Sequence, residues 1–77
     1  MNFRQLEYVI TIYREGTLTR AAEKLFISQP ALTQQLQKLE KEIGTPLFDR
    51  TTTPLTPTYA GKYYLDIMEK ILYENQQ

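Results

Sequence analysis

The stretch FISQPALTQQLQKLE, residues 26–40, decides the fold of this chain. Ser28 stands where a helix N-cap belongs, and Pro30 falls in the first turn, where its missing N–H costs no hydrogen bond. At about 100° per residue, one face of the resulting helix is apolar and must lie in a core: Leu32, Leu36, Leu39 and Ile43. Gly44 is placed to end this helix. The stretch therefore predicts a helix over about residues 29–43.

A shorter helix precedes this one across a tight corner. Thr17 can cap the segment LTRAAEKL, residues 18–25, and only two residues separate that segment from the next cap. The small Ala22 permits the close approach that such a corner needs. Upstream, Gly16 ends a first helix, in which apolar residues recur at helical spacing: Phe3, Leu6, Val9, Ile10 and Tyr13. This order predicts a helix-turn-helix at about residues 18–37.

Helical periodicity stops at residues 45–58, TPLFDRTTTPLTPT. Its three prolines and six threonines favour turns and edge strands over a helix. We predict a small two-stranded hairpin, the wing, over about residues 45–57. Thr58 can cap a last helix over about residues 59–77. The expected fold is mainly α: a winged helix-turn-helix of three helices and a two-stranded wing at residues 1–58, followed by a C-terminal linker and dimerisation helix.

The composition argues against several classes of function. The chain has no cysteine and no histidine, which removes thiolate chemistry, the commonest general base and the commonest metal ligand. Its three glycines all stand at predicted helix boundaries, so no glycine-rich phosphate loop is formed. We expect no enzyme activity, no cofactor and no metal. The first residues do not resemble a signal peptide and no window approaches a membrane span, so we expect a cytoplasmic protein without a membrane partner.

The outward face of the helix at residues 29–43 is polar and uncharged near its start, with no carboxylate before Glu40. Such an end enters the major groove in a helix-turn-helix. A glutamine amide can pair with adenine N6 and N7, whereas threonine and proline can contact a thymine methyl group. We therefore predict these base contacts: Gln29, Pro30, Thr33 and Gln34. The alternative is that these residues only solvate an exposed helix, and Gln35, on the flank, is assigned to that alternative.

Several side chains are placed to contact the phosphate backbone or the minor groove. Arg20 lies near the start of the second helix, which crosses the backbone in this geometry. Arg50 lies on the wing, and its alternative is an ion pair with Asp49 or another acid, worth at most about 1 kcal/mol. Gln37 and Lys38 lie on or beside the outward face of the third helix.

The last helix carries an apolar stripe that is too wide for one small domain to cover. Large exposed apolar patches mark interfaces, so we predict a homodimer through this helix, which suits paired half-sites related by twofold symmetry. The residues expected at the interface are Tyr63, Tyr64, Ile67, Met68, Ile71 and Leu72. The alternative is that all of them belong to the core of a single chain.

Residues 21–50, AAEKLFISQPALTQQLQKLEKEIGTPLFDR, resemble the N-terminal DNA-binding domain of LysR-type transcriptional regulators. The resemblance covers nearly the whole chain without gaps. It rests on these positions: Ala21, Ala22, Leu25, Ser28 to Leu32, Leu39, Glu40, Gly44, Leu47, Phe48 and Arg50. A closing Thr-x-Ala-Gly motif matches Thr58, Ala60 and Gly61.

The resemblance implies a bacterial regulator that binds DNA as a dimer or tetramer paired through the last helix. It implies base contacts at the four positions already named and backbone contacts at Thr17, Arg20 and Arg50. Two residues depart from the family pattern: Thr53 stands where the wing often carries an arginine toward the minor groove, and Pro57 stands where a leucine is common. The family's effector-binding domain lies C-terminal to this region. We expect it to be absent here, so that a small-molecule effector acts only through that missing domain.

The predicted function is sequence-specific DNA binding, with the helix at residues 29–43 in the major groove and the wing at the adjacent minor groove. The predicted partner is a double-stranded, interrupted inverted repeat with A·T-containing half-sites. The alternative is a winged-helix module used for protein contacts only. The zero net charge supports that alternative, because non-specific DNA affinity depends on phosphate neutralisation.

Overall fold

The computed structural model describes the backbone of residues 1–76 and the side chains of residues 1–74. The elements follow the predicted order: α1 (Phe3–Glu15), α2 (Leu18–Leu25), α3 (Gln29–Ile43), β1 (Phe48–Asp49), β2 (Thr56–Pro57) and α4 (Tyr59–Gln76). The two strands form one antiparallel sheet. The fold is therefore the mainly α winged helix-turn-helix that the sequence predicts. Within this part of the chain, no helix is long and apolar enough to cross a membrane.

The predicted caps set the helix boundaries. The hydroxyls of Thr17, Ser28 and Thr58 each accept the backbone N–H three residues further on. Gly16 and Gly44 end α1 and α3 in the left-handed region, at φ 82° and 90°. A capping box at Asn2 and Gln5, which the sequence reading missed, begins α1. Each boundary thus rests on hydrogen bonds made within a few residues.

The corner of the helix-turn-helix uses an unusual residue. Phe26 ends α2 in the left-handed conformation, with φ 59°, where a residue other than glycine costs roughly 1–2 kcal/mol. The N–H groups of Phe26 and Ile27 donate to the carbonyls of Glu23 and Ala22. These two bonds close the end of α2 as a Schellman motif, and they let α3 begin after a turn of only three residues, 26–28.

One core joins α1, α2, α3 and α4. Its buried residues include the predicted inner face of α3 and the two alanines of α2: Leu6, Val9, Ile10, Ile12, Ala21, Ala22, Leu32, Leu36, Leu39, Leu47, Phe48, Leu65 and Met68. Two expectations for α1 need correction. Phe3 is 54% exposed, and Ile12, which was not predicted, is buried. The buried face of α1 therefore runs from Leu6 to Ile12, and Phe3 lies outside it.

The wing is short and firmly attached. Phe48 pairs with Pro57 and Asp49 with Thr56, and the second strand ends at Pro57. The Thr58 hydroxyl donates to the Pro46 carbonyl at 2.7 Å. These contacts fix the chain as it leaves the wing and enters α4.

The first turn of α4 lies directly against the start of the wing. A Cβ atom at Gly61 would overlap the carbonyl oxygen of Leu47. Only glycine fits where a helix and a strand approach so closely. Further along α4, Arg14 of α1 and Glu69 form an exposed ion pair of 3.8 Å, which adds little stability.

Candidate nucleic-acid interface

The outer surface of the first two turns of α3 is the candidate recognition face, defined as Gln29, Pro30, Thr33 and Gln34. Gln29, Pro30 and Gln34 are exposed and Thr33 is half-buried, while Leu32 and Leu36 on the opposite side are fully in the core. The structure thus brings the four predicted base-contact residues together on one solvent-facing surface.

Two members of the recognition face are already bonded to each other. The Gln29 side chain donates from Nε2 to Oγ1 of Thr33 at 2.8 Å. Residues four apart lie on one side of a helix, so this bond spans one turn. Oε1 of the Gln29 side chain can still accept a hydrogen bond, and the Thr33 hydroxyl can still donate one. The pair therefore offers an acceptor and a donor in a fixed arrangement.

The start of α2 offers a second set of polar groups. The Thr17 hydroxyl accepts the Arg20 N–H at 3.1 Å, and the Arg20 side chain is exposed. The first turns of α2 and α3 contain no carboxylate. The positive end of each helix dipole is therefore available to an anion such as phosphate.

Lys38 and Gln37 extend the polar surface of α3. Both side chains are exposed, and Lys38 follows Gln34 by one turn. They lie further along the helix than the recognition face. This position suits contacts to a phosphate backbone beside a groove rather than to base edges.

Arg50 has a defined partner on α3. Its Nη2 atom lies 3.0 Å from Oε1 of Glu40. Of the two partners considered from the sequence, Asp49 or another acid, the structure selects Glu40. The other Glu40 oxygen, Oε2, accepts the Leu47 N–H at 2.6 Å. The side chains of Arg50 and Glu40 are 36% and 14% exposed, so the carboxylate is largely enclosed and the guanidinium remains accessible.

The tip of the wing is built from threonines. Thr53 is exposed, and Arg50 is the one cationic residue between residues 45 and 58. Thr51 donates to the Asp49 carboxylate from its hydroxyl at 2.6 Å and from its N–H at 2.9 Å. These bonds, the hydroxyl first, lower the pKa of the Asp49 carboxyl below its ordinary value because they stabilise the charged form.

The outer face of α4 exposes several apolar side chains beside exposed charged residues of the same helix, and it differs from the predicted interface. Met68 is 1% exposed and belongs to the core, as does the unpredicted Leu65. Tyr64 and Leu72 are partly buried against that core. Three predicted interface residues remain exposed: Tyr63, Ile67 and Ile71.

Two further aromatic residues on α4 were missed by the sequence reading. Tyr59 is 96% exposed and Tyr73 is 62% exposed. Tyr59 precedes Tyr63 by four residues, so helical spacing alone could have identified it. The outer face of α4 is therefore defined as Tyr59, Tyr63, Ile67, Ile71 and Tyr73.

The described residues offer few groups that could bind a metal ion. Among the residues that the structure describes, no cluster of three or more Asp, Glu, His or Cys side chains could hold a metal ion. The arrangement instead presents hydrogen-bonding amides and hydroxyls on one helix, flanked by accessible guanidinium groups. Such a surface can pair with base edges and phosphates.

Comparison with known proteins gives a consistent picture. Residues 3–62 match the model of the bacterial regulatory helix-turn-helix proteins of the lysR family. The transcriptional regulator BudR of Klebsiella aerogenes is 47% identical over 72 residues, which are 94% of this chain and 50% of that protein. The nitrogen assimilation regulatory protein nac of Escherichia coli (strain K12) is 47% identical over 77 residues, which are 100% of this chain and 25% of that protein.

Solved structures of similar sequence share the fold. The BenM_DBD/benA site 1 DNA complex gives a TM-score of 0.95 at 36% identity, covering 100% of this chain and 86% of that one. The CbnR_DBD–DNA complex gives 0.89 at 37% identity, covering 99% and 87%. The chain thus matches two proteins that were crystallised on DNA, while it spans only a quarter to a half of the curated relatives named above.

Proposed function

Because this chain belongs to the lysR family of bacterial regulatory helix-turn-helix proteins, we propose that it reads a specific DNA sequence with α3 in the major groove. It is a DNA-binding domain of a regulator family and not an enzyme. The observation that carries the proposal is the recognition face, which is exposed, uncharged and partly preorganised by the bond between Gln29 and Thr33.

The recognition face assigns a role to each of its four residues. Gln34 and Gln29 offer amides that pair with adenine, and Pro30 offers apolar contact to a thymine methyl group. Thr33 has either its hydroxyl or its methyl group to present. This chemistry favours A·T-containing half-sites.

Phosphate contacts hold the recognition face in register. Thr17 and Arg20 at the start of α2 contact one segment of the DNA backbone. Gln37 and Lys38 of α3 contact the backbone beside them. Arg50 and Thr53 place the wing at the adjacent minor groove. Since Thr53 carries no charge, the wing contact is weaker than one made by an arginine.

A homodimer paired through the outer face of α4 would present two recognition faces to an interrupted inverted repeat. The exposed apolar residues of that face support the pairing, since an isolated chain leaves them in water. The relatives are two to four times longer than this chain. We also propose that any small-molecule effector acts through a C-terminal effector-binding domain, and that the protein acts in the bacterial cytoplasm.

The test is a selection from a random duplex pool, followed by fluorescence anisotropy at two salt concentrations. We expect an enriched inverted repeat with A·T pairs in each half-site. Gln34→Ala should relax the preference at one position, at a cost of about 1–3 kcal/mol. Arg20→Ala should instead weaken all sequences alike and reduce the salt slope by about 1.

The same selection also tests the alternative, a winged helix that contacts only proteins. Half-sites made only of G·C pairs would refute the assigned base chemistry. A folded, dimeric chain that retains no duplex at low salt would favour the protein-contact function, which the zero net charge also supports.

A further inference from the structure

The Glu40 carboxylate joins the recognition helix to the wing. Oε2 accepts the Leu47 N–H just before β1, and Oε1 accepts the Arg50 guanidinium just after it. One side chain of α3 therefore holds both ends of the first wing strand. Charge-assisted bonds of this kind are short and directional, so they fix orientation as well as distance.

The opposite side of the wing is attached to the helix-turn-helix by its backbone. The Leu55 N–H donates to the Gly16 carbonyl at 2.8 Å, which lies between α1 and α2. Besides its contacts with α4 and the core, the wing is thus held at two separated places of the helix-turn-helix, one beside α2 and one on α3. The α3 attachment is the one that depends on side-chain charge.

The ion pair also neutralises a negative charge that would face the DNA. A bare carboxylate at Glu40 would repel phosphates, because it lies on the same helix as the recognition face. Arg50 neutralises this charge through Nη2. A guanidinium carries five N–H donors in a fixed fork, so Arg50 retains donors for a phosphate while it is bound to Glu40.

We propose that Glu40 is a positioning residue: it acts through Arg50 and Leu47 to set the wing at the spacing from α3 that lets both reach DNA together. This inference rests on the proposed function. Glu40 itself touches no base and no phosphate. Removing the Glu40 carboxylate should therefore release the wing from its fixed spacing to α3, without changing which bases the recognition face prefers.

The test compares Glu40→Gln with a matched control, Glu42→Gln. Both substitutions remove one negative charge from α3, and Glu42 is exposed. The readouts are affinity for the selected site, base preference, which reports the major-groove contacts, and hydroxyl-radical footprints of the deoxyribose backbone, which report protection of the flanking minor groove. Thermal unfolding of each variant shows that it is folded.

We expect Glu40→Gln to lose protection of the flanking minor groove and to bind roughly tenfold more weakly, as for one lost charge-assisted hydrogen bond. Its base preference should stay as in the wild type. Glu42→Gln should keep the full footprint and bind equally or more tightly, because it repels phosphate less. Glu40→Gln with an intact flanking footprint, or with the same change in affinity as Glu42→Gln, would overturn the proposal.

A second variant covers the case in which Glu40→Gln does not fold. Arg50→Lys keeps the charge but loses the fork that can serve Glu40 and phosphate together. We expect the same selective loss of flanking protection, and retained protection would count against the positioning role. Failure of the proposed function would look different, since the wild-type chain itself would then show no sequence preference.

Discussion

The side chain of Gln29 donates a hydrogen bond to the hydroxyl of Thr33 across one turn of α3, over 2.8 Å. An isolated surface glutamine has many rotamers and loses entropy when it binds. Here the bond restrains both side chains before any ligand arrives. Thr33 is thus more than a neighbour of the glutamines, because it sets where the Gln29 amide points.

Replacing Thr33 with valine tests this relationship. Valine keeps the shape and a methyl group but offers no acceptor, so Gln29 becomes free. We expect Thr33→Val to relax the base preference at the positions that Gln29 and Thr33 read, at a cost of about 1–3 kcal/mol. Thr33→Ser, which keeps the hydroxyl, should retain most of the preference. Parallel selections with both variants provide the measurement. Retained preference in Thr33→Val together with a loss in Thr33→Ser would show that the methyl group matters instead.

The outer face of α4 provides a contrast between exposed and buried positions. Ile71 is exposed and Met68, three residues earlier, is buried. We expect Ile71→Asp to shift the monomer–dimer equilibrium toward monomer while the chain stays folded. Met68→Ala should instead lower the free energy of unfolding by about 2–5 kcal/mol, since it opens a cavity in the core.

Sedimentation at several concentrations and chemical unfolding separate the two effects. A wild-type chain that remains monomeric at high concentration would end the dimer proposal. Ile71→Asp with unchanged dimerisation would move the interface to another part of the outer face, toward Tyr59 and Tyr63.

The contact between α4 and the wing makes a further prediction. Gly61→Ala would place a methyl group on the Leu47 carbonyl oxygen, so the helix must move away. We expect a loss of about 1–3 kcal/mol in unfolding free energy, as for other overpacked sites. Gly44→Asn serves as a comparison in which the cost comes from the left-handed backbone alone, because nothing lies within 4 Å of its Cβ position and asparagine tolerates that conformation better than most residues. Thermal unfolding in which Gly61→Ala is the more stable variant would contradict the close approach.

Asp49 and Thr51 give the wing a measurable response to pH. Because the bonds from Thr51 lower the pKa of the folded Asp49 carboxyl, they stabilise the fold above the unfolded-state pKa of about 3.9. That contribution is lost as the pH falls through the lower, folded-state value. We expect Thr51→Val, which removes the stronger hydroxyl bond, to raise the Asp49 pKa toward its ordinary value. Titration followed by carboxyl NMR shifts measures this directly, and an unchanged pKa would show that the hydroxyl bond does not form in solution.

The sequence predicted the helical elements well because their signals are local. Thr17 and Ser28 cap their helices because each side-chain oxygen accepts the backbone N–H three residues further on. Gly16 and Gly44 end helices through their own backbone conformation. Such features depend on neighbours a few positions away. The recognition face could be predicted equally well, because the helical period separates it from a fully apolar opposite side.

The sequence was less informative wherever burial depended on a second element. Phe3 and Ile12 both fit an apolar helical face, yet only the packing of α1 between its neighbours buries Ile12 and exposes Phe3. The same ambiguity affected α4, where Met68 was assigned to the interface although it fills the core. An apolar stripe shows how much surface must be covered, but it does not show which partner covers each residue.

By itself, the sequence determined the helix-turn-helix, its caps and the polar character of the recognition face, because periodicity, capping and backbone conformation are encoded over a few residues. The tertiary structure alone decided that Arg50 pairs with Glu40 rather than Asp49, and which side of α4 remains exposed. Both depend on groups ten or more positions apart along the chain. The direction of their approach is fixed only when the helices pack together around one core.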